Sequence, residues 1–125
     1  MIDLNYLKRI NDSYGHECGN AAIISLSSII CDIFTESPVF RIGGDEFAII
    51  LQNDDYANIE TLAQEFNQRL EQLTDDSSLE PWEKITAALG YSLFDPLADH
   101  CSDDVFKRAD KNMYQRKKDM KGERM

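Results

Sequence analysis

The sequence is poor in cysteine. Cys18, Cys31 and Cys101 are scattered, with no CxxC pair, which argues against a disulfide framework or a thiolate zinc site and fits a reducing cytoplasm. No apolar run is long enough to span a bilayer, so no membrane contact is expected from this segment. The first residues, MIDLNYLKRIND, lack a charged region followed by an apolar core, so they do not read as a secretion signal but as the inside of a strand. Positive charge is also scarce: 13 Lys and Arg stand against 23 Asp and Glu, a formal net charge of -10. A general nucleic-acid binder needs clustered positive charge along a phosphate backbone, and this chain is expected to bind none. There is no internal repeat and no low-complexity segment, and 125 residues suffice for one domain with one core.

The basic residues that exist gather near the end, in KRADKNMYQRKKDMKGER, while the middle of the chain is acidic. That stretch reads either as a solvated amphipathic helix or as a few lysines gripping an anionic ligand. Upstream, alternating patterns mark the elements. A strand tail at Ile2 and Asp3 leads into a short helical turn ending at Gly15. NAAIISLSSIICDIF then has helical spacing, with Asn20 in the N-cap position and an end near Thr35. PVFRI and FAIILQ flank Gly43 and Gly44 as a hairpin. QNDDYAN reads as a loop, and the following helix carries Ile59, Leu62, Ala63, Phe66, Leu70 and Leu73 on one face. KITAALGYSLF is strand-like, with Gly90 suggesting a bulge or a close backbone approach, and a last helix starts from a Ser102 cap. The order strand, helix, hairpin, helix, strand, helix predicts an α/β (α+β) fold, a ferredoxin-like antiparallel sheet flanked by helices.

RIGGDEF poses the chemical question. A two-residue glycine turn needs positive φ and leaves bare backbone N–H groups that a phosphate can approach. A phosphate-binding loop of the Lys-Ser/Thr kind would meet the ligand directly, but here Asp45 and Glu46 would repel a bare triphosphate. Two carboxylates beside a phosphate make sense with a hard divalent cation between them, which takes a few carboxylates plus phosphate oxygens. A third carboxylate is expected from a neighbouring strand. Asp3 is the candidate, since the first strand should lie beside the hairpin, with the Leu4 carbonyl as a further ligand. By itself, Asp3 could equally be a helix N-cap.

DLNYLKRINDSYGHECGN, RIGGDEF, ALGYS and ADKNMYQRKK, in this order and at suitable spacing, resemble the GGDEF domain of diguanylate cyclases over essentially the whole chain. The resemblance implies a nucleotidyl-cyclase-like sheet and condensation of two GTP into cyclic di-GMP with release of pyrophosphate. It implies a homodimer in which each domain holds one GTP and two metal ions, Mg²⁺ or Mn²⁺, assist the transfer. It places the metal ligands at Asp3, the Leu4 carbonyl, Asp45 and Glu46, the last two also catalytic. Lys8, Lys117 and Lys121 would contact the triphosphate, Gly43 and Gly44 would let it lie on the turn, and Asn11 would bind the guanine edge or ribose. Asp12 and His16 are expected to be structural and Phe47 to be core.

The chain departs from the family pattern in three places. Asn20 stands where the family has a guanine-binding carboxylate; its amide presents a donor as well as an acceptor, which weakens the preference for GTP. The stretch FTES has Phe34 and Ser37 in place of the Arg and Asp of the family's product-inhibition motif, so no feedback inhibition through that site is expected. The helix and most of the central strand that precede Asp3 in the family, with their DxLTxLxNR signature, are absent, as is room for the sensory domain that usually lies upstream. An N-terminally shortened GGDEF domain over residues 1–125 is the expectation. The alternative is a GGDEF-like module that binds nucleotide or regulates a partner without turnover.

Overall fold

The computed structural model describes residues 1–123, and side chains through residue 120. The elements are β1 (Ile2–Leu4), α1 (Leu7–Tyr14), α2 (His16–Ile33), β2 (Val39–Arg41), β3 (Glu46–Ile49), α3 (Asn53–Ala57), α4 (Ile59–Asp75), a 3-10 turn (Pro81–Glu83), β4 (Ala87–Leu89) and α5 (Ser102–Glu123). The strands form one sheet in the order β2-β3-β1-β4, every neighbouring pair antiparallel. The ferredoxin-like arrangement, with the first strand beside the hairpin, is as the sequence leads one to expect.

Because side chains alternate across a strand, β1 sorts its residues between two cores. Ile2 and Leu4 are fully buried with Leu26 and Ile30 of α2 and Phe66 of α4, joined by Phe47. Met1, on the opposite face, packs with Ala88, Ala109 and Met113 under α5. Asp3 shares that second face, which is why a carboxylate in the central strand meets α5 at all.

Four local readings need correction. Helix α2 begins at His16, not at Asn20, so Asn20 is an exposed residue inside the helix and not its N-cap. Gly15, at φ 93°, accounts for this: its N–H closes α1 on the Asn11 carbonyl and the chain re-enters helix at the next residue. Gly43 and Gly44 do not have positive φ; among the described glycines only Gly15 does. Their turn is closed instead by Ile42 N–H on the Glu46 carbonyl at 3.0 Å and by the Arg41 guanidinium, which donates to the Gly43 and Gly44 carbonyls at 3.2 and 2.7 Å. Asn53–Ala57, read as loop, is the short helix α3. Ser102 is the first residue of α5 and not its cap; the Asp104 carboxylate instead accepts the His100 N–H at 2.8 Å.

At Gly90 the close approach is real. A Cβ there would lie 2.0 Å from the Met113 nitrogen, so the sheet touches the backbone of α5 at this point. Gly90 also exchanges two hydrogen bonds with the chain start, receiving one from the Met1 ammonium at 3.0 Å and donating its N–H to the Met1 carbonyl at 2.9 Å. Burial pushes that ammonium down to about 6.

Candidate functional site

The site forms where the free end of the hairpin meets the C-terminal end of β1. Asp3 pairs across the ladder with Glu46, and Leu4 N–H donates to the Asp45 carbonyl at 2.8 Å. The register therefore brings three acidic residues from two strands into one place. Oxygen atoms from Asp3, Asp45 and Glu46 lie within 4.8 Å of one another. Like charges directly opposite in an antiparallel pair are destabilising, so this cluster calls for a cation.

Charge and burial show in the titration of both paired residues. Burial raises the Asp3 carboxyl above its usual value and Asp45 pushes the same way, while a hydrogen bond from Lys117 opposes them. Glu46 is raised by burial and then by the charges of Asp3, Asp110 and Asp45. Lys117, on α5, donates from Nζ to Asp3 Oδ2 at 2.8 Å across 114 positions of sequence. The other carboxylate oxygen, Oδ1, is buried with no hydrogen-bond partner among the described residues.

An orphaned buried carboxylate oxygen amid three clustered carboxylates is a donor set suited to a hard divalent cation, which prefers oxygen ligands and a small number of carboxylates. Beside the cluster lies a cavity of about 430 Å³, walled by Asp3 and Glu46 from the sheet and by Asp110, Met113, Tyr114 and Lys117 from α5. Gly43 and Gly44 are exposed on the turn leading into Asp45. A Cβ on Gly44 would meet nothing within 4 Å and one on Gly43 only the Glu46 Cβ at 3.7 Å, so a ligand could lie against them.

The other expected ligand contacts do not wall this cavity. Lys8 is exposed on α1 and Asn20 is exposed on α2. Asn11 is half-buried between those helices, with its amide over Gly19: a Cβ on Gly19 would lie 1.7 Å from Asn11 Oδ1. These residues lie on α1 and α2, away from the residues that line the cavity. The side chain of Lys121 lies outside the described residues. Asp12 and His16 are exposed, while Phe47 is buried as expected.

Sequence reasoning missed Asp110, Met113, Tyr114 and Lys118 as cavity walls. Spacings of three and four from Asp110 through Met113 and Tyr114 to Lys117 put them on one helix face, a signal present in ADKNMYQRKK. It also missed Asn5, buried two residues after Asp3, whose Nδ2 donates to Thr86 Oγ1 at 3.3 Å and whose Oδ1 has no partner among the described residues.

Residues 1–123 match the family described as "Diguanylate cyclase, GGDEF domain". The chain is 35% identical over 127 residues to the biofilm architecture maintenance protein MbaA of Vibrio cholerae, covering 93% of this chain and 16% of that protein. It is 30% identical over 118 residues to the diguanylate cyclase DgcS of Shewanella oneidensis, covering 94% of this chain and 38% of the relative. The chain thus spans well under half the length of these relatives. Among solved structures, the active GGEEF domain of a diguanylate cyclase from Vibrio cholerae superposes with a TM-score of 0.77 at 29% identity, covering 94% of this chain and 74% of that one. The GGDEF domain of DgcB from Caulobacter crescentus, in complex with c-di-GMP, gives 0.78 at 26% identity, covering 94% and 69%. With the family model matching residues 1–123 of this chain, it belongs to the GGDEF domain family of diguanylate cyclases.

Proposed function

We propose that the chain is a diguanylate cyclase domain, two copies of which face each other, each with one GTP, and join them into cyclic di-GMP. The observation that carries this reading is the convergence of Asp3, Asp45 and Glu46 within 4.8 Å, directly after an open glycine turn. Asp3, Asp45, Glu46 and the Leu4 carbonyl would hold two divalent cations, Mg²⁺ or Mn²⁺, which when bound lower the pKa of the ribose 3′-hydroxyl and neutralise charge at the α-phosphate.

In each half-reaction the 3′-oxygen of one GTP forms a bond to the α-phosphorus of the other. The bond from that phosphorus to the oxygen leading to the β-phosphate breaks, and pyrophosphate leaves. Glu46, the carboxylate opposite Asp3 across the ladder, would take the hydroxyl proton. Gly43 and Gly44 give the triphosphate a surface without side chains. Lys8, Lys117 and Lys121 neutralise it, and Asn11 with Asn20 takes the base. Asn20 offers guanine one acceptor and one mismatched donor, so discrimination between GTP and other nucleoside triphosphates is shallow. No product inhibition is expected through the family's motif, whose Arg and Asp positions hold Phe34, a core residue, and Ser37, whose Oγ donates to the buried Asp55 at 2.6 Å.

Incubation with GTP and Mg²⁺ followed by mass spectrometry tests the reading. Cyclic di-GMP is expected from the chain or its full-length parent, and Asp45→Ala should abolish it without unfolding the domain; no cyclic dinucleotide from either refutes the activity. The second reading is a module that binds GTP without turnover. GTP binding to a folded protein that yields no product would select it. The protein is expected in the cytoplasm, where GTP is available, with a sensory domain upstream in a longer parent; no described helix is long and apolar enough to cross a membrane.

A further inference from the structure

We infer that Lys117 is an exchangeable stand-in for the metal: without a divalent cation its ammonium occupies Asp3, and cation entry expels it toward the polyphosphate. The inference rests on the functional reading above and adds to it a coupling between cation and nucleotide.

Two features separate this ion pair from a structural one. A structural pair of buried charges is stable only when the remaining lone pairs are also satisfied. Here Lys117 engages Asp3 Oδ2 at 2.8 Å and leaves Oδ1 buried with no partner among the described residues. Asp3 is almost fully buried whereas the Lys117 side chain retains 20% exposure, so one partner is fixed and the other can leave. The carboxylate comes from the rigid centre of the sheet, the ammonium from the end of a flexible four-carbon stem.

The charges define the exchange. Asp3, Glu46 and Asp110 line the cavity together with Lys117, and an Asp45 oxygen lies within 4.8 Å of those of Asp3 and Glu46. A divalent cation on Asp3 would sit at about 2.0–2.6 Å from its oxygen, next to an ammonium of the same sign. Both cations compete for one carboxylate, and the divalent ion, with three carboxylates to itself, displaces the monovalent one. The released ammonium stays on the cavity wall, with Lys118 beside it. There it becomes the positive wall that a triphosphate needs. Cation binding thereby prepares the phosphate site, and by linkage polyphosphate binding, which captures the freed ammonium, tightens the cation.

The test measures Mn²⁺ binding to the full chain by electron paramagnetic resonance, with no nucleotide present. Lys117→Met removes the competitor and should bind Mn²⁺ about tenfold more tightly than the wild type, since a difference of about 1.4 kcal/mol corresponds to tenfold. Sodium tripolyphosphate should tighten Mn²⁺ in the wild type and much less in the variant. In the wild-type protein itself, acylation of Lys117 followed by mass spectrometry should increase on adding MnCl₂ and fall again with tripolyphosphate, a readout independent of whether the variant folds. Mn²⁺ binding that Lys117→Met leaves unchanged or weakens would mean that Lys117 merely orients Asp3, and would overturn the exchange alone. Mn²⁺ uptake that Asp45→Ala does not alter would overturn the metal site, and the exchange with it.

Discussion

Gly90 is where the sheet holds α5 at the right depth, and Gly90→Ala shows how far the candidate site depends on that contact. A Cβ at this position would lie 2.0 Å from the Met113 nitrogen, 2.5 Å from its Cα and 2.6 Å from the Asn112 carbonyl carbon. All three are backbone atoms of a helix, so no rotamer change can relieve the clash. To restore an ordinary contact of 3.4 Å or more, the helix must withdraw by well over an ångström. Met113 is one turn before Lys117, so the same withdrawal carries Lys117 out of hydrogen-bonding range of Asp3, now 2.8 Å away.

Overpacking costs about 1–3 kcal/mol, and stripping a buried carboxylate of its partner costs a similar amount or more. The total is at least about 2–6 kcal/mol, which for a domain of this size lowers the melting temperature on the order of 10 °C or more. Thermal unfolding by circular dichroism gives the measurement, with Gly44→Ala as the control. A Cβ on Gly44 meets nothing within 4 Å, so that variant should melt within a few degrees of wild type (about 0.5 kcal/mol) while losing nucleotide affinity, because the added methyl obstructs the ligand's approach. A Gly90→Ala protein that melts with the wild type, or one whose Mn²⁺ and nucleotide binding are unchanged, would refute the argument that this contact sets the reach of Lys117.

Other consequences can be checked with the same protein. In the chain beginning at Met1, the ammonium titrates near 8.0 when unfolded and about 6 when folded, so between those values the unfolded state binds more protons and stability rises with pH. The gain is about 2–3 kcal/mol from below pH 6 to above pH 8; urea titrations across that range should show it, and extending the chain N-terminally, which replaces the ammonium by a peptide N–H, should flatten it. Asp3→Asn removes a charge whose ionised form burial disfavours but leaves Lys117 facing a neutral amide, two opposing effects, so the variant should melt within a few degrees of wild type yet bind no Mn²⁺; a loss of more than about 3 kcal/mol, the cost of breaking a buried pair outright, would contradict the burial argument. Gly19→Ala places a methyl 1.7 Å from Asn11 Oδ1, so the Asn11 amide must rotate away. GTP affinity should drop while Mn²⁺ affinity holds, and a joint loss of both would show that the two sets of residues are not separate.

The parts of the fold that could be read from sequence were those fixed by short-range chemistry. Alternation around RIGGDEF gave the hairpin, and the expectation that Asp3 lies beside it needed only strand adjacency. The closeness at Gly90 was readable because a glycine within a strand has few other uses. What escaped was set by neighbours. Helix α2 starts early because Gly15 reverses the chain within one residue, a conformational fact with no trace in apolar periodicity. The glycines of the turn need no positive φ because Arg41 supplies the closing hydrogen bonds, and an arginine before two glycines does not announce that. The cluster of Lys117 with Asp3 spans 114 positions, so basic residues near the end could be counted in the sequence but not paired.

The acidic turn is also a local conflict that the fold tolerates. Asp3 stands directly across from Glu46, an arrangement that costs stability in any sheet, and both residues hold their protons more tightly than usual. A hydrophobic pair at these two positions would extend the second core, where Met1, Ala88 and Met113 already pack under α5. Instead the strand register, the glycine turn and the anchored helix all converge on an arrangement that one lysine only partly neutralises. Strain of this kind persists where it serves binding. The same register that opposes Asp3 to Glu46 supplies the donor set of a divalent cation, so adding Mg²⁺ or Mn²⁺ removes the repulsion at its source. The domain should therefore be stabilised by its cation by about 2.7 kcal/mol at a hundredfold excess over the dissociation constant, and the gain should vanish in Asp45→Ala.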